Sequence, residues 1–343
     1  MKGLWKYIAP FAPDQSGAAA VFYGLGGIVV ICDAGGCAGN ICGFDEPRWF
    51  SGKKSAVFSA GLRDMDAILG RDDRLVAKLC DAAREIAAEF AVIVGTPVPS
   101  VIGTDYKALR RMAEKKLAMP ILSVDTTGMQ PYDIGIEKAY TALFTAFATE
   151  KQPREESAAG VLGAVPLELM HPQDVTAIRQ TLMAEGWQDI RLFDRLEDYR
   201  QAPALSRIFV VSPAGLKAAQ YLQAHFAIPY EVRYFGLDKI AQTAEVSGKK
   251  ILIVHQDVAA GRLAEKVTAA GAAQVTTASW FKHVPELNLP DYHPLKEEDD
   301  FIQLADNDYF DLIFGDLYFK RALPHFSGQY VDFPHFAVSG RSL

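Results

Sequence analysis

Thiols are scarce in this chain. Four cysteines occur in 343 residues, too few for a disulfide framework, and no two stand as Cys-x-x-Cys, which removes a zinc ribbon or a thioredoxin-type dithiol. Long basic runs are missing too. Lys and Arg total 35 against 42 Asp and Glu, for a net charge of -7, so nothing is offered to a phosphate backbone and no nucleic-acid partner is expected. No apolar run approaches the roughly 18 residues that span a bilayer, and the opening MKGLWKYIAPFAPDQSG lacks the apolar core of a secretory signal. The expectation is a cytoplasmic protein with no membrane partner. A Walker motif is absent, so the chain itself is not expected to hydrolyse ATP. Gly24, Gly26 and Gly27 precede their strand instead of following it, which rules them out as a dinucleotide phosphate loop.

Half of the residues are hydrophobic, enough for a sizeable core in two or three domains. Apolar β-rich runs alternate with amphipathic segments along the whole length: GGIVVIC, SAVFSA, FAVIVGT and PILSVD, then VLGAVP, IRLF, RIFVVS and YEVRYFG, then KKILIVHQD, YFDLIFGD and QYVDF. That order predicts an α/β fold of two to three Rossmann-like units with parallel sheets. The polar segment from Thr149 to Gly160 reads as a linker, giving units over residues 1–150, 151–247 and 248–343. Asp72 or Asp73 can cap the start of a helix whose apolar stripe takes in Val76, Leu79 and Cys80. Gly315 and Asp316 fall just beyond a strand's carboxyl end, where open sheets bind ligands. The irregular stretch FKHVPELNLPDYHPLKEEDD reads as a lid or a partner-binding loop.

Three of the four cysteines cluster in ICDAGGCAGNICGFDEPRW, at Cys32, Cys37 and Cys42. Thiolates hold zinc or iron–sulfur clusters, and a thiol at a strand-to-helix turn is stabilised as an anion by backbone N–H groups. Cys37 follows Gly35 and Gly36 in such a turn, and with Gly39 and Gly43 these glycines let backbone approach a bulky inorganic cluster. The competing reading makes Cys32 a buried strand residue, Cys42 a helix-face residue and Cys80 part of a helix's apolar stripe.

The order GGIVVICDAGGC followed further on by VPSVIGTD resembles the cluster-binding domain of nitrogenase component 1 proteins, where a strand ends in His-Gly-Pro before Gly-Cys and a later Cys precedes an Ile-Gly-Asp-Asp turn. IFVVSPAGLKAAQYLQAHFAIPY is similar to that family's second domain, and GKKILIVHQD with YFDLIFGD to its third. The resemblance implies a cluster ligand at Cys37. The family's other cluster cysteines fall near Ile8 to Asp14 and near Thr96 or Pro97, none of them Cys here, so the full eight-iron cluster is not expected. The family's cofactor cysteine falls near Ser212 and its cofactor histidine near Pro334 or His335, leaving His335 as a residue that could line a remaining cavity.

The implied function is a redox protein that pairs with itself or a paralogous component 1 subunit. An iron–sulfur cluster, [4Fe–4S] in type, then lies near the twofold axis, held by Cys37 and by Cys42 from each chain, with Asp14 and Cys32 as further choices. Electrons arrive from an ATP-hydrolysing iron protein, as in the resembling family, and the substrate is left open. The segment GFDEPRWFSGKK, with Arg48, Trp49, Phe50, Lys53 and Lys54, is the candidate docking face for that donor. The alternative is a cluster-free scaffold that holds a metal complex, a tetrapyrrole or a cofactor precursor in a cleft between the α/β units.

Overall fold

The computed structural model describes residues 5–50, 55–171 and 174–341. Thirteen strands form three parallel sheets, each flanked by helices. The first holds β1 (Ile28–Ile31), β2 (Ala56–Ser59), β3 (Ala91–Val94) and β4 (Ile121–Val124) in the order β2-β1-β3-β4. β5 (Glu155–Leu162), β6 (Asp189–Arg191), β7 (Leu205–Val210) and β8 (Tyr230–Val232) make the second, ordered β6-β5-β7-β8. The third is β11-β10-β9-β12-β13, from β9 (Lys250–Val254), β10 (Gln274–Ser279), β11 (Tyr292–Pro294), β12 (Leu312–Gly315) and β13 (Gln329–Asp332). β1, β3 and β12 are buried along their whole length, which is why they read as unbroken apolar runs. Among the described residues no helix is long and apolar enough to cross a membrane.

Two sequence expectations change. The polar segment Thr149–Gly160 is a linker only in its first half, because β5 begins at Glu155. Its first two residues, Glu155 and Glu156, stand in solvent beyond the sheet's apolar part, so a strand's polar overhang resembled a loop. The stretch from Phe281 to Asp300 is no free lid. The Lys282 and Val284 N–H groups donate to the buried carboxylates of Asp133 and Asp257, and β11 pairs with β10 as an edge strand.

The helices Asp14–Tyr23 and Tyr132–Phe147 pack directly against each other. All ten residues of the first are buried, and a Cβ on Gly17 would sit 1.8 Å from the Tyr132 carbonyl oxygen, one on Gly135 1.7 Å from that of Asp14. Only two glycines permit this backbone approach. Gly135→Ala is expected to push the helices apart and cost about 3 kcal/mol or more, the upper end of overpacking, read as a fall in the urea midpoint at constant m-value. The segment before the first helix crosses onto the third unit: the Lys6, Tyr7 and Ile8 N–H groups donate to Glu298, and Ala12 N–H to the Ala337 carbonyl.

Candidate functional site

β1 delivers the cysteine turn. Cys32 follows the strand at 1% exposure, packed in the same apolar cluster as Val76 and Leu79, and burial pushes its thiol up to about 12. Asp33, also buried, organises the turn beyond it: its Oδ2 accepts the Ala38 N–H at 2.8 Å and its Oδ1 the Ser59 hydroxyl at 2.5 Å. The carboxylate therefore caps the short helix Gly36–Asn40 and ties the turn to β2. Gly35 takes φ +120°, which L side chains rarely adopt. Cys37 sits in the first turn of that helix, partly exposed.

The helix then widens into a π-turn over Ile41–Asp45, closed by the Glu46 N–H on the Ile41 carbonyl at 3.0 Å. Such turns are often found at functional sites. Cys42 lies within it, also partly exposed. Burial, followed by the charge of Asp33, raises the Cys37 thiol against an opposing hydrogen bond from Thr96. Burial, followed by Glu46 and Asp33, raises Cys42. Both thiols therefore rest protonated, and a bound cation would reverse that balance.

The positions that correspond to the family's other cluster cysteines, near Ile8 to Asp14 and near Thr96 or Pro97, supply no thiol. Thr96 is buried with its hydroxyl on the Cys32 carbonyl at 2.7 Å. Pro97 packs on Gly128, and the Gln15 side-chain oxygen lies beside the same glycine, buried and without a hydrogen-bond partner. Asp14 is not a ligand in waiting: its oxygens accept the N–H groups of Thr127 at 2.8 Å and Gly128 at 2.6 Å. This carboxylate is consumed in clamping the loop before Tyr132.

Around the turn the surface is open and apolar. A Cβ at Gly35, Gly36, Gly39 or Gly43 would meet nothing within 4 Å. Phe44 is 76% exposed, Val101 86% and Met129 84%, and Val98 and Ile102 are about half exposed, all on segments that follow β1, β3 or β4. Exposed apolar groups gathered at one end of a sheet mark an interaction surface. Among the described residues no group of three or more His, Cys, Asp or Glu could hold a metal ion.

The docking segment fares differently. Arg48 is no free surface cation: its guanidinium chelates the buried carboxylate of Glu46 at 2.6 and 2.7 Å, donates to the Ala20 carbonyl and lies over the Tyr23 ring. Lys53 and Lys54, and the side chains of Trp49 and Phe50, lie outside the described residues.

A second cluster forms where the carboxyl ends of the second and third sheets face the start of helix Tyr132–Phe147. His335 lines no open cleft. It is 1% exposed, its Nε2 lies 2.7 Å from the Tyr132 hydroxyl, and its ring stacks on His255 at 4.4 Å and meets Phe281 edge-on at 4.9 Å. Ser212 and Glu168 are fully buried in the same seam. Asp316 is occupied by the N–H groups of Tyr318 and His335, the Ser339 hydroxyl and Arg341, so the strand-end position picked out by sequence is a structural hub. Sequence reasoning missed Glu168, whose only signal is a carboxylate in the apolar run VLGAVPLELM.

The model of the nitrogenase component 1 type oxidoreductases matches residues 14–284. No curated protein matches the chain. Among solved structures, "Nitrogenase Cp1 at pH 6.5" is similar with a TM-score of 0.75 at 12% identity, over 97% of this chain and 87% of that one. "Nitrogenase Cp1 at pH 5" gives 0.74 at 14% identity, over 98% and 85%. At such identities the likeness speaks for the fold.

Proposed function

Because this chain belongs to the nitrogenase component 1 type oxidoreductases, we propose that it is a reductase subunit that carries an iron–sulfur cluster at an interface between two chains. The observation that carries the reading is Cys37, held by Asp33 and Gly35 in a glycine-lined, open turn inside an exposed apolar rim. A cluster of the [4Fe–4S] kind usually takes four thiolates. Cys37 and Cys42 from each of two copies, or from this chain and a paralogous subunit, would provide them. Once bound, that cluster would supply one-electron transfer.

This chain's own residues perform the rest. Asp33 fixes the orientation of the Cys37 turn, the glycines keep side chains out of the contact, and Phe44, Val101 and Met129 exclude water by packing on the partner. Electrons would come from an ATP-hydrolysing iron protein, and Arg48 serves that docking only as the anchor of its loop. A cluster-free scaffold would need an open cleft between units, and the packing of Glu168, Tyr132, Ser212 and His335 weighs against it. The same packing does not fit a second metal cofactor in that seam, where Ser212 stands in place of the thiol such a group would require.

Protein purified without oxygen is expected to be brown, with about four irons per dimer and a broad absorption band bleached by a cognate iron protein with MgATP. Iron below about half an atom per chain after reconstitution would sink the cluster. Bleaching that needs neither the iron protein nor ATP would remove the proposed donor.

A further inference from the structure

Independent of any metal, the buried seam holds a hydrogen-bond chain that constrains its own protons. The Tyr132 hydroxyl lies 2.8 Å from Glu168 Oε2 and 2.7 Å from His335 Nε2. A phenol carries one proton, so it donates to one neighbour and must accept from the other. Glu168 Oε1 meets no hydrogen-bond partner, so a proton on the acid belongs at Oε2, where Tyr132 accepts it, and two arrangements remain. Either Glu168 is a neutral acid that donates to Tyr132, which donates to His335 Nε2, or His335 Nε2–H donates to Tyr132, which donates to a Glu168 carboxylate.

Burial decides between them. Glu168, Tyr132 and His335 are each at most 1% exposed. The groups facing Glu168 are Tyr132, Asp133 and Tyr140 from the long helix, Ser212 beyond β7, Tyr234 beyond β8, and His335 backed by His255 from the third unit. Glu168 forms no salt bridge among the described residues, and a buried carboxylate without a cation is far costlier than a neutral acid. Its other oxygen and the Ser212 hydroxyl are buried without hydrogen-bond partners.

We propose that this seam is a proton-binding site in which the protonation of Glu168, relayed through Tyr132, sets which nitrogen of His335 carries hydrogen. With the acid protonated, Nε2 is an acceptor and the imidazole holds its hydrogen at Nδ1. When Glu168 gives its proton to solvent, Tyr132 turns to donate to the carboxylate, and the imidazole hydrogen relocates from Nδ1 to Nε2. One O–H bond is lost at Glu168, and one N–H bond is exchanged for another at His335. The Glu168 carboxyl is pushed up to about 8, first by burial and then by Asp133. Burial and then His255 hold His335 well below its ordinary range, with the Leu167 carbonyl pulling the other way, so the imidazole stays neutral throughout.

Nitrogen-15 NMR of histidine-labelled full-length chain reads the tautomer directly. Below the Glu168 titration His335 is expected as the Nδ1–H tautomer, and it should switch to Nε2–H as pH rises through about 8. Glu168→Gln, which has no proton to lose, should hold one tautomer at every pH, and Tyr132→Phe should uncouple the switch. Infrared spectra of the wild type provide a measurement that needs no variant to fold: a deuterium-sensitive carboxylic acid band at neutral pH that disappears over the same range. An Nε2–H tautomer at neutral pH, or absence of that band, overturns the proposal. So does a switch that persists in Glu168→Gln.

Discussion

Cys37→Ser is expected to leave a folded protein with no iron above background, whereas Cys80→Ala should keep all of its iron. The turn is held by Asp33 on the Ala38 N–H and by the left-handed Gly35, neither of which involves the Cys37 thiol. Serine therefore fits the same backbone and should change stability by less than about 1 kcal/mol, as for partly exposed positions away from the core. What it removes is the soft donor that iron prefers. Cys80, in contrast, packs at 7% exposure in the cluster with Val76 and Leu79, and its loss should cost about 1–2 kcal/mol of packing. Iron analysis after anaerobic reconstitution, with thermal unfolding alongside, separates the two effects. Equal iron in wild type and Cys37→Ser would reject the thiol's assignment, and misfolding of Cys37→Ser would contradict the account of the turn.

The elements that sequence revealed are those whose signal is local. Most buried strands announced themselves as apolar runs, unlike β10 with its buried Thr276, Thr277 and Ser279, and the helix from Asp72 by its spaced stripe. The Cys37 turn stood out because three of the four cysteines cluster there among glycines. What stayed hidden depends on partners far apart in sequence. The carboxylate of Asp14 does not disclose in sequence that loop N–H groups 113 and 114 residues away consume it. Arg48 looked like a surface charge until Glu46 and the Ala20 carbonyl enclosed it. Gly17 and Gly135 carry no motif, since each matters only for the backbone that the other's helix brings against it. The seam is the extreme case: Tyr132, Glu168, Ser212 and His335 meet through three units, and no window of sequence contains more than one of them.

Glu168→Gln should make the protein more stable at neutral pH, by on the order of 3 kcal/mol at pH about 7. The sign comes from proton counting. Glu168 has an ordinary value of 4.5 and is raised to about 8 in the fold. Its contribution is fully present below 4.5, where both states hold the proton. Between the two values the unfolded chain has lost that proton and the native chain has kept it, so stability declines as pH rises and levels off above about 8. His255, lowered by burial to about 4, works in the opposite direction, since its contribution is lost as pH falls from 6.5 toward that value. Subtracting the wild-type curve from the variant's cancels the histidines and leaves Glu168. Glutamine keeps the side chain's shape and can donate to Tyr132 as the acid does, so it removes the cost of carrying a proton without opening a cavity. Urea midpoints measured from pH about 4.5 to about 8 should diverge progressively in favour of the variant. Parallel curves would mean that Glu168 titrates at the same pH in both states, and the buried neutral acid would then have to be abandoned.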